Sequence, residues 1–182
     1  VNSSAETKAE ADYCCTSANA QAVIESLPME QEIIFAPDQH LGAWVTRKRT
    51  DNVILWPGYC PVHQRLTPAD ITSARAAFPD AKVVVHPEAR LDVLQMADAV
   101  ESTGGMVRWV HSLPAGAQVI VGTEMGMINR LRRERPDVIY IPAGSDLVCA
   151  NMKLTRLVHV RDSLLHLQHE ITVPPEIAAR AL

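Results

Sequence analysis

Trp56-Pro57-Gly58-Tyr59-Cys60-Pro61-Val62-His63 follows an apolar run, Asn52 to Trp56, that reads as a buried strand. Pro57 and Gly58 end the strand, and Pro61 is expected to keep the chain from re-entering regular structure. A thiol is thereby presented on a stiffened loop at a strand exit. The pattern recurs further on: Asp137 to Ile141 is a second apolar strand, followed by Pro142-Ala143-Gly144 and a short loop to Cys149. Two thiol-bearing loops of the same design are expected to converge on one place, and a metal cluster is the natural object for them to hold.

Working outward, Thr16-Ser17-Ala18-Asn19 offers caps for a helix from Ala20 to Leu27, closed by Pro28. Glu32 to Phe35 reads as a strand with Asp38 beyond its exit, and His40 to Thr46 as a short helix. Leu66 to Phe78 is a helix with Thr67 as cap and Pro68 at the first helical position. Lys82 to Val85 is a strand that exits through His86-Pro87-Glu88, and Ala89 to Met96 another helix.

The chain then repeats. An offset of 86 carries Ser26-Leu27-Pro28 onto Ser112-Leu113-Pro114, Thr16-Ser17 onto Ser102-Thr103, Ile33-Ile34-Phe35 onto Val119-Ile120-Val121, and Asp38 onto Glu124. One residue less carries Val53-Ile54 onto Val138-Ile139. A long-period match of strands, caps and breakers indicates duplicated domains. Strands alternate with helices through connections too long for hairpins, which gives parallel sheets covered by helices and a ligand site beyond the carboxyl ends of the strands. The fold class is therefore α/β, with repeated small three-layer α/β/α domains. The expected division is residues 1–64, a domain lacking its opening strand, residues 65–150, a whole domain, and residues 151–182, a helical tail. The strand ending at His86 should have a counterpart just before Val1, so the chain is expected to begin inside a domain. In the tail, Leu154, Leu157, Val158, Leu164, Leu165 and Leu167 suggest one or two amphipathic helices, and Glu176 to Leu182 a last short one.

Composition narrows the function. An apolar fraction of 47% over 182 residues supports a sizeable core. A net charge of −4 with interspersed signs leaves no basic stripe, which argues against nucleic acid. Apolar runs are strand-sized, far below the roughly 20 residues that span a bilayer. Four cysteines without short regular spacing are not a secreted disulfide framework, and a reducing cytoplasm suits them.

Cys60 and Cys149 could be buried packing residues, but equivalent placement in two repeats favours ligation of iron–sulfur or zinc. Adjacent Cys14-Cys15 reads as small packing residues. His86 and Glu88, two apart at a strand exit, suit general acid–base work. The hydroxyls of Thr16-Ser17 and Ser102-Thr103 cap helices, and as a related pair they also suit a phosphate or carboxylate. Asp38 and Glu124 read as loop-ordering residues. Arg130, Arg132, Arg133 and Arg135 read as a solvated helix face, and His159, His166 and His169 as scattered rather than arrayed.

Several stretches together resemble the quinolinate synthase (quinolinate synthetase A) family: VNSSAETKA at the start, CCTSANA from Cys14, FAPDQHLG from Phe35, WPGYCPVH from Trp56, VVVHPEA from Val83, GTEMGMINRL from Gly122 and CANMKLTRL from Cys149. The resemblance implies three related α/β domains about a pseudo-threefold axis, the first of them missing here. It implies a [4Fe–4S] cluster with one cysteine per domain, of which Cys60 and Cys149 match two, and one iron open to substrate. The implied reaction condenses iminoaspartate with dihydroxyacetone phosphate to quinolinate, in the cytoplasmic synthesis of nicotinamide dinucleotides. It implies functional coupling to L-aspartate oxidase or aspartate dehydrogenase, and neither nucleic acid nor membrane as partner. Carried over by motif, His86 and Glu88 are catalytic, with Glu88 the proton shuttle, and Asn2, Ser17, His86, Glu88, Ser102 and Thr103 bind substrate. A tyrosine expected just before Val1, a third thiolate and first-domain residues are absent from this sequence, so the chain is expected to be an inactive fragment. Two other readings stay open: a non-catalytic module that binds a phosphorylated metabolite, and a zinc or redox site at Cys60 and Cys149.

Overall fold

A computed structural model describes residues 2–49 and 51–181. These form two compact units, one of the residues up to Cys14 together with those from Cys149 onward, the other Cys15–Val148. Every strand pairing is parallel, as expected for the α/β class.

The chain opens with α1 (Ala5–Ala9), capped by Ser4, whose Oγ accepts from the Thr7 N–H. The larger unit then runs α2 (Ala20–Ser26), β1 (Ile33–Phe35), α3 (Gln39–Val45), β2 (Val53–Leu55), α4 (Pro61–Arg65) and α5 (Pro68–Ala77). It continues with β3 (Lys82–Val85), α6 (Leu91–Leu94), β4 (Ala99–Val100), α7 (Thr103–His111), β5 (Gln118–Gly122), α8 (Gly126–Glu134) and β6 (Ile139–Pro142). The strands make two parallel sheets, β1-β2 and β4-β3-β5-β6.

The repeat is visible in the packing. One core cluster holds Ala20, Ile24, Ile33, Phe35 and Val45. The other holds Met106, Val110, Val119, Val121 and Leu131, each 86 positions later. The same offset relates two arginines. Arg49 donates to the carbonyls of Ile24, Leu27 and Pro28, and Arg135 to those of Val110 and Leu113. Each closes the C-terminal end of a helix, where carbonyls have no partner within the helix. Arg135 is therefore not part of a solvated face; it lies one residue past the end of α8 and points back into the unit.

Three further expectations need correction. The run around β2 is not buried: Ile54 is 65% exposed, and Trp56 is also exposed. Side chains alternate along a strand. Ile33 and Phe35 face the helices, while Ile34 and its register partner Ile54 face outward. Pro61 does not hold the chain out of regular structure. It opens α4 with Cys60 as the N-cap, the position where a missing N–H costs nothing. The helix expected from Ala89 to Met96 shrinks to α6, and the two-residue strand β4, too short for periodicity to show, adds an edge to the larger sheet.

In the smaller unit the tail is helical, as expected: a 3-10 turn (Met152–Leu154), α9 (Leu157–His166) and α10 (Pro175–Arg180). Its leucines, however, are largely in solvent, Leu157 at 87%. α10 packs on α1, and Arg180 bonds Glu10 at 2.7 Å. The expectations that fell on Val1 and Leu182 lie outside the described residues. Among the described residues no helix is long and apolar enough to cross a membrane.

Candidate functional site

Parallel strands β3 and β5 are neighbours, so their carboxyl ends bring His86-Pro87-Glu88 and Thr123 side by side. α4 lies against them and adds His63, one helical turn after Cys60. The result is a buried polar cluster of His63, His86, Glu88 and Thr123. His63 Nδ1 meets Glu88 Oε2 at 3.0 Å, and His63 Nε2 meets Thr123 Oγ1 at 2.9 Å. The two imidazoles stack with centroids 4.5 Å apart and planes 10° apart.

Charge sorts itself within this cluster. Burial opposes a charge on His63, but its hydrogen bonds to Cys60 and Glu88, and their negative charge, hold it at about 9. His63 is thus an imidazolium at neutral pH and donates from both nitrogens. Burial, reinforced by the neighbouring His63 charge, pushes His86 down to about 4, so His86 is neutral. The Glu88 N–H donates to His86 Nδ1 at 3.3 Å, which leaves the His86 proton on Nε2. Burial pushes the Glu88 carboxyl up, but the His63 hydrogen bond and the charges around it win, and it stays below its ordinary value. Burial likewise pushes the Cys60 thiol up, and the hydrogen bond and charge of His63 carry it below the usual thiol range.

The loop that carries Cys60 is tied down. Asp38 Oδ1 accepts from the N–H groups of His40 and Leu41 at the start of α3, while its Oδ2 accepts from the Cys60 N–H at 2.9 Å. Glu124, the repeat partner of Asp38, accepts from the Gly126 N–H at the start of α8. Both residues order loops, as their positions suggested. Gly58 is required by contact: a Cβ there would lie 2.3 Å from the Pro37 carbonyl oxygen.

Two of the expected hydroxyls come together. Ser17 and Ser102 line one cavity of about 180 Å³ with Pro87, Glu101 and Arg108. Ser102 also caps α7 through the Gly105 N–H, while Thr103 is exposed on the first turn of that helix. Asn2 is exposed, with a φ of 56° that asparagine tolerates well, and lies in the smaller unit with Cys149, which is half-buried there. Cys15 packs against the first core cluster as a small residue would, whereas Cys14 is exposed rather than packed. His63 carried no role in the sequence reading. The signal available was the Cys60-x-x-His63 spacing, which places both side chains on one face of a helix start.

The whole chain, residues 1–182, matches the family described as "Quinolinate synthetase A protein". Among curated relatives, the quinolinate synthase of Dehalococcoides mccartyi strain CBDB1 is 50% identical over 182 residues, covering 100% of this chain and 60% of that protein. The quinolinate synthase of Methanoregula boonei is 50% identical over 181 residues and 59% of its length. That of Geobacter sp. strain M21 is 46% identical over 185 residues and 60% of its length. The chain therefore spans about 60% of the length of these relatives.

Proposed function

This chain belongs to the quinolinate synthetase A family, and we propose that it carries the second and third domains of a quinolinate synthase, residues 1–64 and 65–150, followed by the tail 151–182. The proposed reaction joins iminoaspartate to dihydroxyacetone phosphate and gives quinolinate with loss of phosphate and water. The supply of iminoaspartate by an aspartate oxidase or dehydrogenase, and a cytoplasmic setting, belong to the same proposal. The observation that carries it is the buried His63–Glu88 pair under a neutral His86. Such a reaction needs a carboxylate that takes protons from carbon beside a donor that orients an oxygen, and this cluster supplies both.

Glu88, held ionised by the His63 imidazolium, acts as the base. His86 offers its Nε2–H to a substrate oxygen as a neutral donor. Ser17 and Ser102 bind substrate oxygens in the cavity they line, and Arg108 on the same wall provides a cation for a phosphate or carboxylate. Thr103 and Asn2 are assigned the remaining oxygen contacts. The half-exposed, acidified Cys60 thiol and Cys149 have the soft donor chemistry of an iron–sulfur site. They would hold a [4Fe–4S] cluster, with a third thiolate from outside this chain. Such a cluster, when bound, supplies a Lewis-acidic iron.

The test joins this chain to the complementary part of the Dehalococcoides mccartyi relative and assays quinolinate anaerobically. The joined protein is expected to form quinolinate and the 182-residue chain alone none. Glu88→Gln is expected to lower turnover about 10²- to 10⁴-fold. An unchanged rate in Glu88→Gln overturns the assignment of the base. The Ser17–Ser102 cavity also supports a second reading, a module that binds a phosphorylated metabolite without catalysis. Tight binding of dihydroxyacetone phosphate by the iron-free 182-residue chain would favour it.

A further inference from the structure

Thr123 directly follows β5, is buried, and offers the hydroxyl that His63 Nε2 meets at 2.9 Å. The other nitrogen of the same ring meets Glu88 Oε2 at 3.0 Å. We propose that Thr123 is a positioning residue for Glu88, acting through His63: its hydroxyl holds the imidazole in the ring orientation that turns a nitrogen, rather than a carbon, toward the carboxylate. The proposal rests on the reading of Glu88 as the base.

A half-turn of an imidazole about its Cβ–Cγ bond keeps the ring in one plane and exchanges each nitrogen for a carbon. Stacking on His86, with planes 10° apart, fixes that plane and admits both orientations. The contacts at Nδ1 and Nε2 tell them apart, and the two contacts differ in stiffness. Glu88 reaches the ring through three side-chain torsions from the loop after β3, and His63 itself stands on the five-residue helix α4. Thr123 is β-branched, with restricted χ1, and follows a strand paired on both sides by β3 and β6. The His86 N–H donates to the Gly122 carbonyl at 3.1 Å, which ties down the backbone just before it. Thr123 is therefore the fixed end of the chain of contacts, and Glu88 the end that needs fixing. A hydroxyl both donates and accepts, so it pairs with Nε2 in either protonation state of the ring. A base that takes a proton from carbon must be held within about 0.5 Å of its productive place, which a freely swinging carboxylate is not. The offset that carries Asp38 onto Glu124 carries Pro37 onto Thr123, so this hydroxyl is not part of the repeated framework. It stands only at the sheet that holds the buried cluster. The contacts from Thr123 to Glu88 do not use the Cys60 sulfur, so they are compatible with Cys60 holding a cluster.

The test is run on this chain joined to the complementary part of the Dehalococcoides mccartyi relative, assayed anaerobically with iron counted in every variant. Thr123→Val, which exchanges the hydroxyl for a methyl, is expected to lower kcat about 10- to 100-fold, with KM for dihydroxyacetone phosphate within about 2-fold of the parent and the iron content unchanged. Thr123→Ser keeps the hydroxyl and is expected to hold kcat within about 3-fold of the parent. In a Glu88→Gln background no base remains to be positioned, so Thr123→Val is expected to add less than about 2-fold. A loss of packing alone would add its full factor there. Thr123→Ala set against Thr123→Ser isolates the hydroxyl if valine disturbs the fold or the iron content, and Thr123→Ala is expected to be the slower. A kcat unchanged in Thr123→Val, equal rates in Thr123→Ala and Thr123→Ser, or an undiminished loss in the Glu88→Gln background overturns the proposal. A rate unchanged in Glu88→Gln overturns the assignment of the base and this proposal with it. A rate that falls in Glu88→Gln and not in Thr123→Val overturns the positioning role alone.

Discussion

The β1-β2 sheet and the β4-β3-β5-β6 sheet are built from the same pattern, yet they are finished differently. On the face toward α2 and α3, or α7 and α8, they correspond residue for residue: Ile33 and Phe35 are buried, and so are Val119 and Val121. On the opposite face they part. Ile34 is 74% exposed, and Ile120, its repeat partner, is fully buried. The second sheet carries β3 beside β5, with Val83 in register with Ile120. Leu66, at the end of α4, closes over that face at Gly122, where an added Cβ would lie 3.0 Å from its side chain. Among the described residues, β1 has no third strand and no such cover. Duplication preserved one half of the core in both copies, and the other half of the core is complete only where β3 and the α4–α5 segment are present. The chemistry follows the same division, because His63, His86, Glu88 and Thr123 all cluster at the finished sheet.

The sharpest way to break this comparison is a pair of truncations at one repeat position. Ile120→Ala is expected to cost about 2–5 kcal/mol in urea unfolding of the chain, through lost transfer energy and a cavity. Ile34→Ala is expected to fall within about 0.5 kcal/mol of the parent. Equal costs would mean that the two faces are not different.

The next effect concerns pH, and it sharpens the claim that the finished sheet holds the charged site. His63, held at about 9, contributes stability that is fully present below its unfolded value of about 6.5 and is lost as pH rises through about 9. His86, held at about 4, contributes stability that is present above about 6.5 and is lost as pH falls through about 4. Each amounts to about 3 kcal/mol at most. Unfolding free energy of the metal-free chain is therefore expected to peak near pH 6.5 and fall on both sides. His63→Gln is expected to flatten the alkaline limb and His86→Gln the acid limb. A profile unchanged by both variants would contradict the assigned charge states.

The smallest expected effect tests what the copies share. Arg49→Met strands three buried or half-buried carbonyls and is expected to cost about 1–3 kcal/mol. Arg135→Met is expected to destabilise in the same direction, since it makes the same kind of contact in the other copy. A destabilisation at only one of the two would separate the halves further than the packing suggests.

Much of this was legible in the residues. The breakers and caps placed most elements, and the offset of 86 pairs residues that occupy two core clusters. The placement of Cys60, His86 and Glu88 at strand exits followed from parallel topology alone. What escaped depended on contacts distant in sequence. Whether β2 is covered is decided by what lies over it, which its own residues do not state. His63 gains its role from Glu88 and Thr123, 25 and 60 positions away. Arg135 was hidden in a run of arginines that looks like a solvated face, although its partner at Arg49 sits at the same offset as the rest of the repeat. Pro61 reads as a breaker until the residue before it is seen to cap a helix, where proline is at home.

The proposal with most resting on it is that Cys60 and Cys149 are each ligands of an iron–sulfur cluster. The most direct test counts iron and acid-labile sulfide after anaerobic reconstitution of this chain joined to the complementary part of its Dehalococcoides mccartyi relative, with Cys60→Ser and Cys149→Ser alongside. The expected result is four iron and four sulfide per joined protein, with each single substitution abolishing the cluster. A full cluster that persists in either variant would contradict the account.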